Sequence, residues 1–262
     1  MDTIIFGDGP LGQAIAAAAR ARGETARLLG RPPDGRHDPA RLAPLGLAID
    51  ASRSDAVRHN VDAALAAGCR RLVVATTGWD ADREAVESEL QRAGAAAVVA
   101  PNLSIGAALF FRIVDRAAEL LGPIDAFEPY LLEWHRRSKR DRPSGTAREL
   151  ARRISVARGA ALGPAVIERS ADADAAPWGD LEVAVLRAGA SPGMHLVGFD
   201  APGETIELRL TARDRSAYAA GALSAADWLV RAPRIPGFHT FDEVVDDLVG
   251  TADPAALLAA TA

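Results

Sequence analysis

Two stretches of the chain hold residue types that do chemistry only in company. The first is Gly7-Asp8-Gly9-Pro10-Leu11-Gly12, a Gly-x-Gly-x-x-Gly spacing. There Gly7 permits a tight turn, Gly9 lets the backbone approach a pyrophosphate, and Gly12 lets a helix pack closely on a strand, while the helix N-terminus faces the anion. The expectation is a dinucleotide site made of Gly7, Gly9, Pro10, Leu11 and Gly12. The second stretch runs from Glu133 to Thr146. It places His135, Lys139 and four arginines, among them Arg136 and Arg142, directly before Ser144-Gly145-Thr146. His135 titrates from a reference pKa of about 6.5 and can give or take a proton near neutrality. Amides and hydroxyls of Ser144, Gly145 and Thr146 at a helix start form an anion pocket that the flanking cations enlarge, and a carboxylate-bearing substrate fits it.

Lys139 is the only lysine among 30 basic residues. A composition that turns solvated lysines into arginines leaves a lysine where a compact, tunable ammonium is needed, which marks Lys139 as functional. The acid that NAD-preferring sites carry at the end of the second strand is missing: that strand ends Leu28-Leu29-Gly30-Arg31-Pro32. With Arg31 there, the 2′-phosphate of NADPH is expected to be favoured, with NADH possible. His37, His59, His195 and His239 sit in polar or turn-like contexts without ligand spacing, so no metal site is expected. Cys69 reads as a packing residue.

The elements that must position these residues follow from periodicity. In the first third, strands at Thr3–Phe6, Ala26–Leu29, Leu47–Asp50, Leu72–Ala75 and Ala96–Ala100 alternate with helices at 11–22, 57–67 and 83–93, which predicts βαβ crossovers in a doubly wound, Rossmann-like parallel sheet. A long helix follows at Ile105–Leu121, then a strand at Asp125–Glu133, a basic loop and a helix at 144–158. Asp172–Gly179 reads as a surface loop. Strands at 181–187, 194–199 and 205–210 without intervening helices predict an antiparallel or mixed sheet in a second, α+β domain. Helices at 217–230 and 241–248 close the pattern.

Of 262 residues, 49% are hydrophobic and 25% charged, a composition that offsets chain entropy and excludes disorder. The net charge of −5 offers no overall attraction for nucleic acid or an anionic membrane. No apolar run reaches the ~18 residues of a membrane span, no secretory leader is visible, and a single cysteine precludes an internal disulfide. The cytoplasm is the expected location.

The segment Glu133-x-His135-x-x-x-Lys139-x-Asp141-x-Pro143-Ser144-Gly145-Thr146 resembles the signature of the 4-hydroxy-tetrahydrodipicolinate reductase (dihydrodipicolinate reductase) family. Thr76-Thr77-Gly78-Trp79-Asp80, Ala100-Pro101-Asn102-Leu103-Ser104-Ile105-Gly106, Arg187-Ala188-Gly189 and Gly221-Ala222-Leu223 agree in order and spacing. The resemblance implies NADPH-dependent reduction of a cyclic imine dicarboxylate in lysine and diaminopimelate biosynthesis. It implies His135 as proton donor and Lys139 as its paired cation, Gly145 and Thr146 as a carboxylate clamp, and Ala75, Thr76, Thr77, Ala100, Asn102 and Leu103 as residues lining the cofactor. It also implies a dinucleotide domain over 1–103, a substrate and oligomerisation domain over 104–215 whose open sheet builds a homotetramer, and a segment from 216 to 262 returning to the first domain. Arg136 stands where the family has a second, substrate-contacting His, and Arg142 where it has Ala. A permanent cation changes which anion geometry fits, so a paralogous reductase of another imine carboxylate is the alternative, and a catalytically silent NADPH-binding protein the alternative of another class.

Overall fold

The computed structural model describes residues 2–157, 166–167 and 181–250. In chain order the elements are β1 (Thr3–Phe6), α1 (Pro10–Ala21), β2 (Ala26–Leu29), α2 (Pro39–Leu42), β3 (Leu47–Asp50), α3 (Val57–Ala66), β4 (Arg71–Val74), α4 (Arg83–Ala93), β5 (Ala96–Val99) and α5 (Ile105–Leu121). They continue with β6 (Glu128–His135), α6 (Gly145–Ala157), β7 (Val166–Ile167), β8 (Glu182–Arg187), β9 (Met194–Ala201), β10 (Glu204–Thr211), α7 (Ser216–Arg231), β11 (Gly237–His239) and α8 (Phe241–Gly250). The chain divides into two compact units, one of residues 1–105 and 215–262 and one of residues 106–214. The expected loop Asp172–Gly179 lies outside the described residues. No helix among the described residues is long and apolar enough to cross a membrane.

The first unit is a six-stranded, all-parallel sheet ordered β11-β5-β4-β3-β1-β2. Its inner strands are short continuous apolar runs, as strands covered on both faces must be; Ile4, Ile5, Ile49, Val73 and Val74 are all buried. Pro10 opens α1, where its missing N–H costs nothing. Gly94, in the left-handed conformation, closes α4. At the far end of the chain, Thr240 and Glu243 cap α8 reciprocally: Thr240 N donates to Glu243 Oε2 at 2.6 Å and Glu243 N to Thr240 Oγ1 at 3.3 Å. Periodicity does not announce β11, because three residues are too few to alternate. Its pairing with β5 is a tertiary decision.

The second unit is a five-stranded mixed sheet ordered β10-β9-β6-β8-β7. Strand β6 pairs parallel with β8 and antiparallel with β9. One face is covered by α5 and α6 through Phe110, Val114, Leu150 and Ile154, which meet Leu131, Val183, Val197 and Phe199 in a single core. The strand expected at Asp125–Glu133 lies instead at Glu128–His135. Residues 124–127 make a turn, in which Phe127 N donates to Ile124 O, and the Leu-Glu-Trp-His alternation carries β6 two residues further. That shift puts His135 inside the strand, on the buried face with Leu131 and Glu133.

Candidate active site

In the first unit the parallel strands bring their carboxyl ends to one edge, the place where doubly wound sheets bind ligands. Gly7 follows β1 with φ of 99°, a conformation that favours glycine, and a Cβ there would lie 2.4 Å from the Ala51 carbonyl oxygen. A Cβ at Gly12 would meet the Gly7 carbonyl at 1.8 Å, whereas one at Gly9 would enter open space at the start of α1. This cradle leaves room for a pyrophosphate against the helix N-terminus, so the residues fit a dinucleotide.

Ala75, Thr76 and Thr77 follow β4, and Ala100, Asn102 and Leu103 follow β5, the neighbouring strand. Thr76 is buried and its hydroxyl donates to Asp50 Oδ1 at 2.5 Å. Asp50 also accepts from Asn60 Nδ2 at 2.7 Å and Ser52 Oγ at 2.8 Å. Burial pushes the Asp50 carboxyl upward while these donors hold it back. Asn102 Oδ1 accepts from Ser104 N at 2.9 Å, which shapes the turn after β5. Arg31, expected at a 2′-phosphate, makes an ion pair with Asp55 at 2.8 Å.

In the second unit the residues singled out after Glu133 fall into a buried and an exposed group. Glu133 is fully buried. Its carboxylate accepts from Arg187 Nη2 at 2.6 Å and from Ser144 N at 3.1 and 3.2 Å, and the rings of His135 (Nδ1) and His195 (Nε2) each lie 3.6 Å away. Burial would push this carboxyl up; the polar contacts from His195, Ser144 and Arg187 outweigh it and hold the group down at about 2.

His135 stacks edge-on against His195 with ring centroids 5.1 Å apart. Burial, joined by the charges of His195, Lys139 and Arg187 against the opposing pull of Glu133, holds His135 down at about 4. Its Nδ1 is buried without a hydrogen-bond partner among the described residues. The Nε2 edge faces Gly193, where a Cβ would sit 3.0 Å from that nitrogen.

Ser144, expected to line the anion pocket, turns inward. Its amide goes to Glu133, and its hydroxyl accepts from Ala147 N at 3.2 Å and contacts His195 Nε2 at 3.1 Å. It is the N-cap of α6, which leaves Gly145, exposed, and Thr146, half-buried, at the helix start. Lys139 Nζ bonds Asp141 at 2.9 Å. Arg136 bonds Ser138 at 3.1 Å, and Arg142 Nη2 donates to Val185 O at 2.8 Å.

His195 corrects an expectation. It is a buried residue of β9 paired directly with Glu133, not a turn histidine without partners. The signal was available: His195, Val197 and Phe199 alternate onto one face, and a histidine on an apolar buried face needs polar company. Glu133, His135 and His195 bring possible ligand atoms within 4.8 Å of one another. Arg187 already sits on the Glu133 carboxylate, so the cluster suits proton handling and charge rather than a second cation.

A family model described as the C-terminal part of dihydrodipicolinate reductase matches residues 106–245. The chain is 36% identical over 206 residues to a 4-hydroxy-tetrahydrodipicolinate reductase of Myxococcus xanthus, covering 76% of this chain and 74% of that one. To a protein of the same name from Methanopyrus kandleri it is 39% identical over 202 residues, covering 76% and 70%. Among solved structures, a dipicolinate-bound dihydrodipicolinate reductase from Paenisporosarcina sp. TG-14 shares the fold with a TM-score of 0.68 at 19% identity, covering 92% of this chain and 97% of that one.

Proposed function

The chain belongs to the dihydrodipicolinate reductase family, and from that premise we propose that it reduces 4-hydroxy-tetrahydrodipicolinate to tetrahydrodipicolinate with a reduced nicotinamide dinucleotide. The observation that carries this reading is the placing of His135, on the end of β6, with the buried cluster that also caps α6. One ionic core thus sets both a proton donor and an anion-binding helix start.

A reduced nicotinamide dinucleotide bound here would supply the hydride; Gly7, Gly9 and Gly12 would hold its pyrophosphate, and Pro10, Leu11, Ala75, Thr76, Thr77, Ala100, Asn102 and Leu103 would line the rest. Because Thr76 gives its proton to Asp50, its oxygen stays available as an acceptor. The amides of Gly145 and Thr146 take one substrate carboxylate, and Lys139 and Arg136 balance the dianion and the electron-rich enamine formed on reduction. The 4-hydroxyl leaves as water to give a conjugated C=C–C=N system, hydride addition to that system forms the enamine, and His135 returns a proton to the enamine to give tetrahydrodipicolinate. Burial and surrounding cations hold the imidazole neutral, so the dianion itself supplies the negative charge that lets His135 take up its proton. Arg31 can meet the 2′-phosphate of NADPH by leaving Asp55, which makes NADPH a usable reductant.

The residues of β6 opposite the core, Tyr130, Leu132 and Trp134, are half-exposed, and Leu186 of β8, paired with Trp134, is exposed. An open apolar face of this kind supports assembly into a homo-oligomer, a tetramer by family likeness. Arg136 and Arg142 favour the second reading, reduction of a related imine carboxylate.

The test follows the absorbance of the reduced nicotinamide with freshly generated 4-hydroxy-tetrahydrodipicolinate. Turnover on the order of 10 s⁻¹ supports the assignment. Cofactor binding without turnover moves it to another imine carboxylate.

A further inference from the structure

We infer that Asp8 reads the adenine ribose and makes NADH the preferred reductant. The inference rests on the proposed function, whose cofactor it specifies.

In doubly wound folds the acceptor for the ribose 2′-hydroxyl is an acid at the end of the second strand. Here the residue after β2 is Gly30, which has no side chain. A Cβ built on Gly30 would nevertheless lie 2.8 Å from one carboxylate oxygen of Asp8 and 3.2 Å from its carboxyl carbon. The space of a strand-end side chain is therefore filled by a carboxylate that arrives from the glycine loop.

That loop is held against β2. Gly7 N donates to Leu29 O at 2.8 Å, and Gln13 Nε2 donates to the Asp8 carbonyl at 2.8 Å. An acid carried by the phosphate-binding turn keeps its register with the dinucleotide. Two ribose hydroxyls are donors that suit a carboxylate, whereas a 2′-phosphate brings about two further negative charges to the same place.

The neighbouring cation does not restore the balance. Arg31 is paired with Asp55 at 2.8 Å, and Arg53 approaches that same carboxylate at 3.4 Å. To serve a 2′-phosphate, Arg31 must give up Asp55 while Asp8 repels the incoming group. All of these groups are solvent-accessible, so the discrimination weakens as salt rises.

The experiment titrates the full chain with NADH and with NADPH at low ionic strength, reading dissociation constants by calorimetry and kcat/KM in parallel. The expected result is NADH bound about tenfold more tightly, a ratio that falls toward one in Asp8→Asn and at high salt. Moving the acid to the strand end, Asp8→Gly with Gly30→Asp, should recover the preference for NADH. NADPH bound as tightly as NADH or more so, or a ratio unmoved by Asp8→Asn, overturns the role of Asp8 while leaving the reductase reading intact. Failure of both nucleotides to bind overturns the dinucleotide site and the proposed function with it.

Discussion

Ser144 Oγ and His195 Nε2 lie 3.1 Å apart, and this contact fastens the first turn of α6 to β9 alongside His135. The pair is separated by 51 positions in sequence. It therefore works as a positioning device: His195 keeps the N-cap seated and so fixes where the amides of Gly145 and Thr146 point. His195→Phe keeps bulk and removes the polar contact. The expected loss in kcat/KM for the dicarboxylate is on the order of a hundredfold, with nucleotide affinity unchanged. Recovery by His195→Gln would separate this role from simple packing, and equal kinetics in the Phe variant would refute it.

Removing the centre of the cluster has a different signature. Glu133→Ala strands the Arg187 guanidinium in a buried place and frees the Ser144 amide, so unfolding by urea should show a loss of about 3–5 kcal/mol. Glu133→Gln retains an acceptor for both and should lose less. With the carboxyl held at about 2, its contribution is fully present above the ordinary carboxylate range near 4.5 and is lost as pH falls toward 2.

His135 acts in the same direction at higher pH, and it adds a proton count. Folding lowers it to about 4, so between about pH 6.5 and 4 the unfolded chain binds a proton that the folded chain refuses, and stability falls through that window. A dicarboxylate such as dipicolinate should reverse this locally. Calorimetry at neutral pH in buffers of different ionisation heat should show net proton uptake on binding, and His135→Gln should abolish it.

His135→Gln and Lys139→Ala should each depress kcat by about 10²–10⁴ while leaving NADH affinity nearly intact, because neither residue belongs to the glycine-loop unit. Normal turnover in both variants would sink the assignment of the proton donor and its cation.

Gly193 has φ of 153°, and its missing Cβ is what leaves the Nε2 edge of His135 clear. Gly193→Ala pushes a methyl group to within 3.0 Å of that nitrogen. The expected effect is a kcat reduced by at least about tenfold at near-normal KM, with a shifted pH profile, since the donor atom and not the anion pocket is obstructed.

The glycine loop, the parallel strands and the His135-to-Thr146 segment were legible because each is written locally, in turn chemistry, apolar runs and spacing. The inward turn of Ser144 was not, since a helix-start Ser looks the same whether its hydroxyl faces a ligand or a buried histidine. Arg187 and His195 escaped as cluster members because only strand register brings them to Glu133, and register is a property of three strands at once. Asp8 was hidden for a similar reason. Its reach to Gly30 depends on how closely β1 and β2 lie, not on either sequence alone.

The edge strand β11 carries a consequence for synthesis. The first unit is discontinuous: β5 waits for residues 237–239 to supply its outer neighbour, and α7 must seat Gly221 on the Leu103 carbonyl, where a Cβ would lie 1.6 Å from the oxygen. The second unit, continuous from 106 to 214, is complete in the emerging chain before either event. On the ribosome, the half that holds the buried Glu133 cluster can therefore mature first, while the other half keeps an unpaired edge until β11 arrives, a window in which a chaperone or a neighbouring nascent chain would find it.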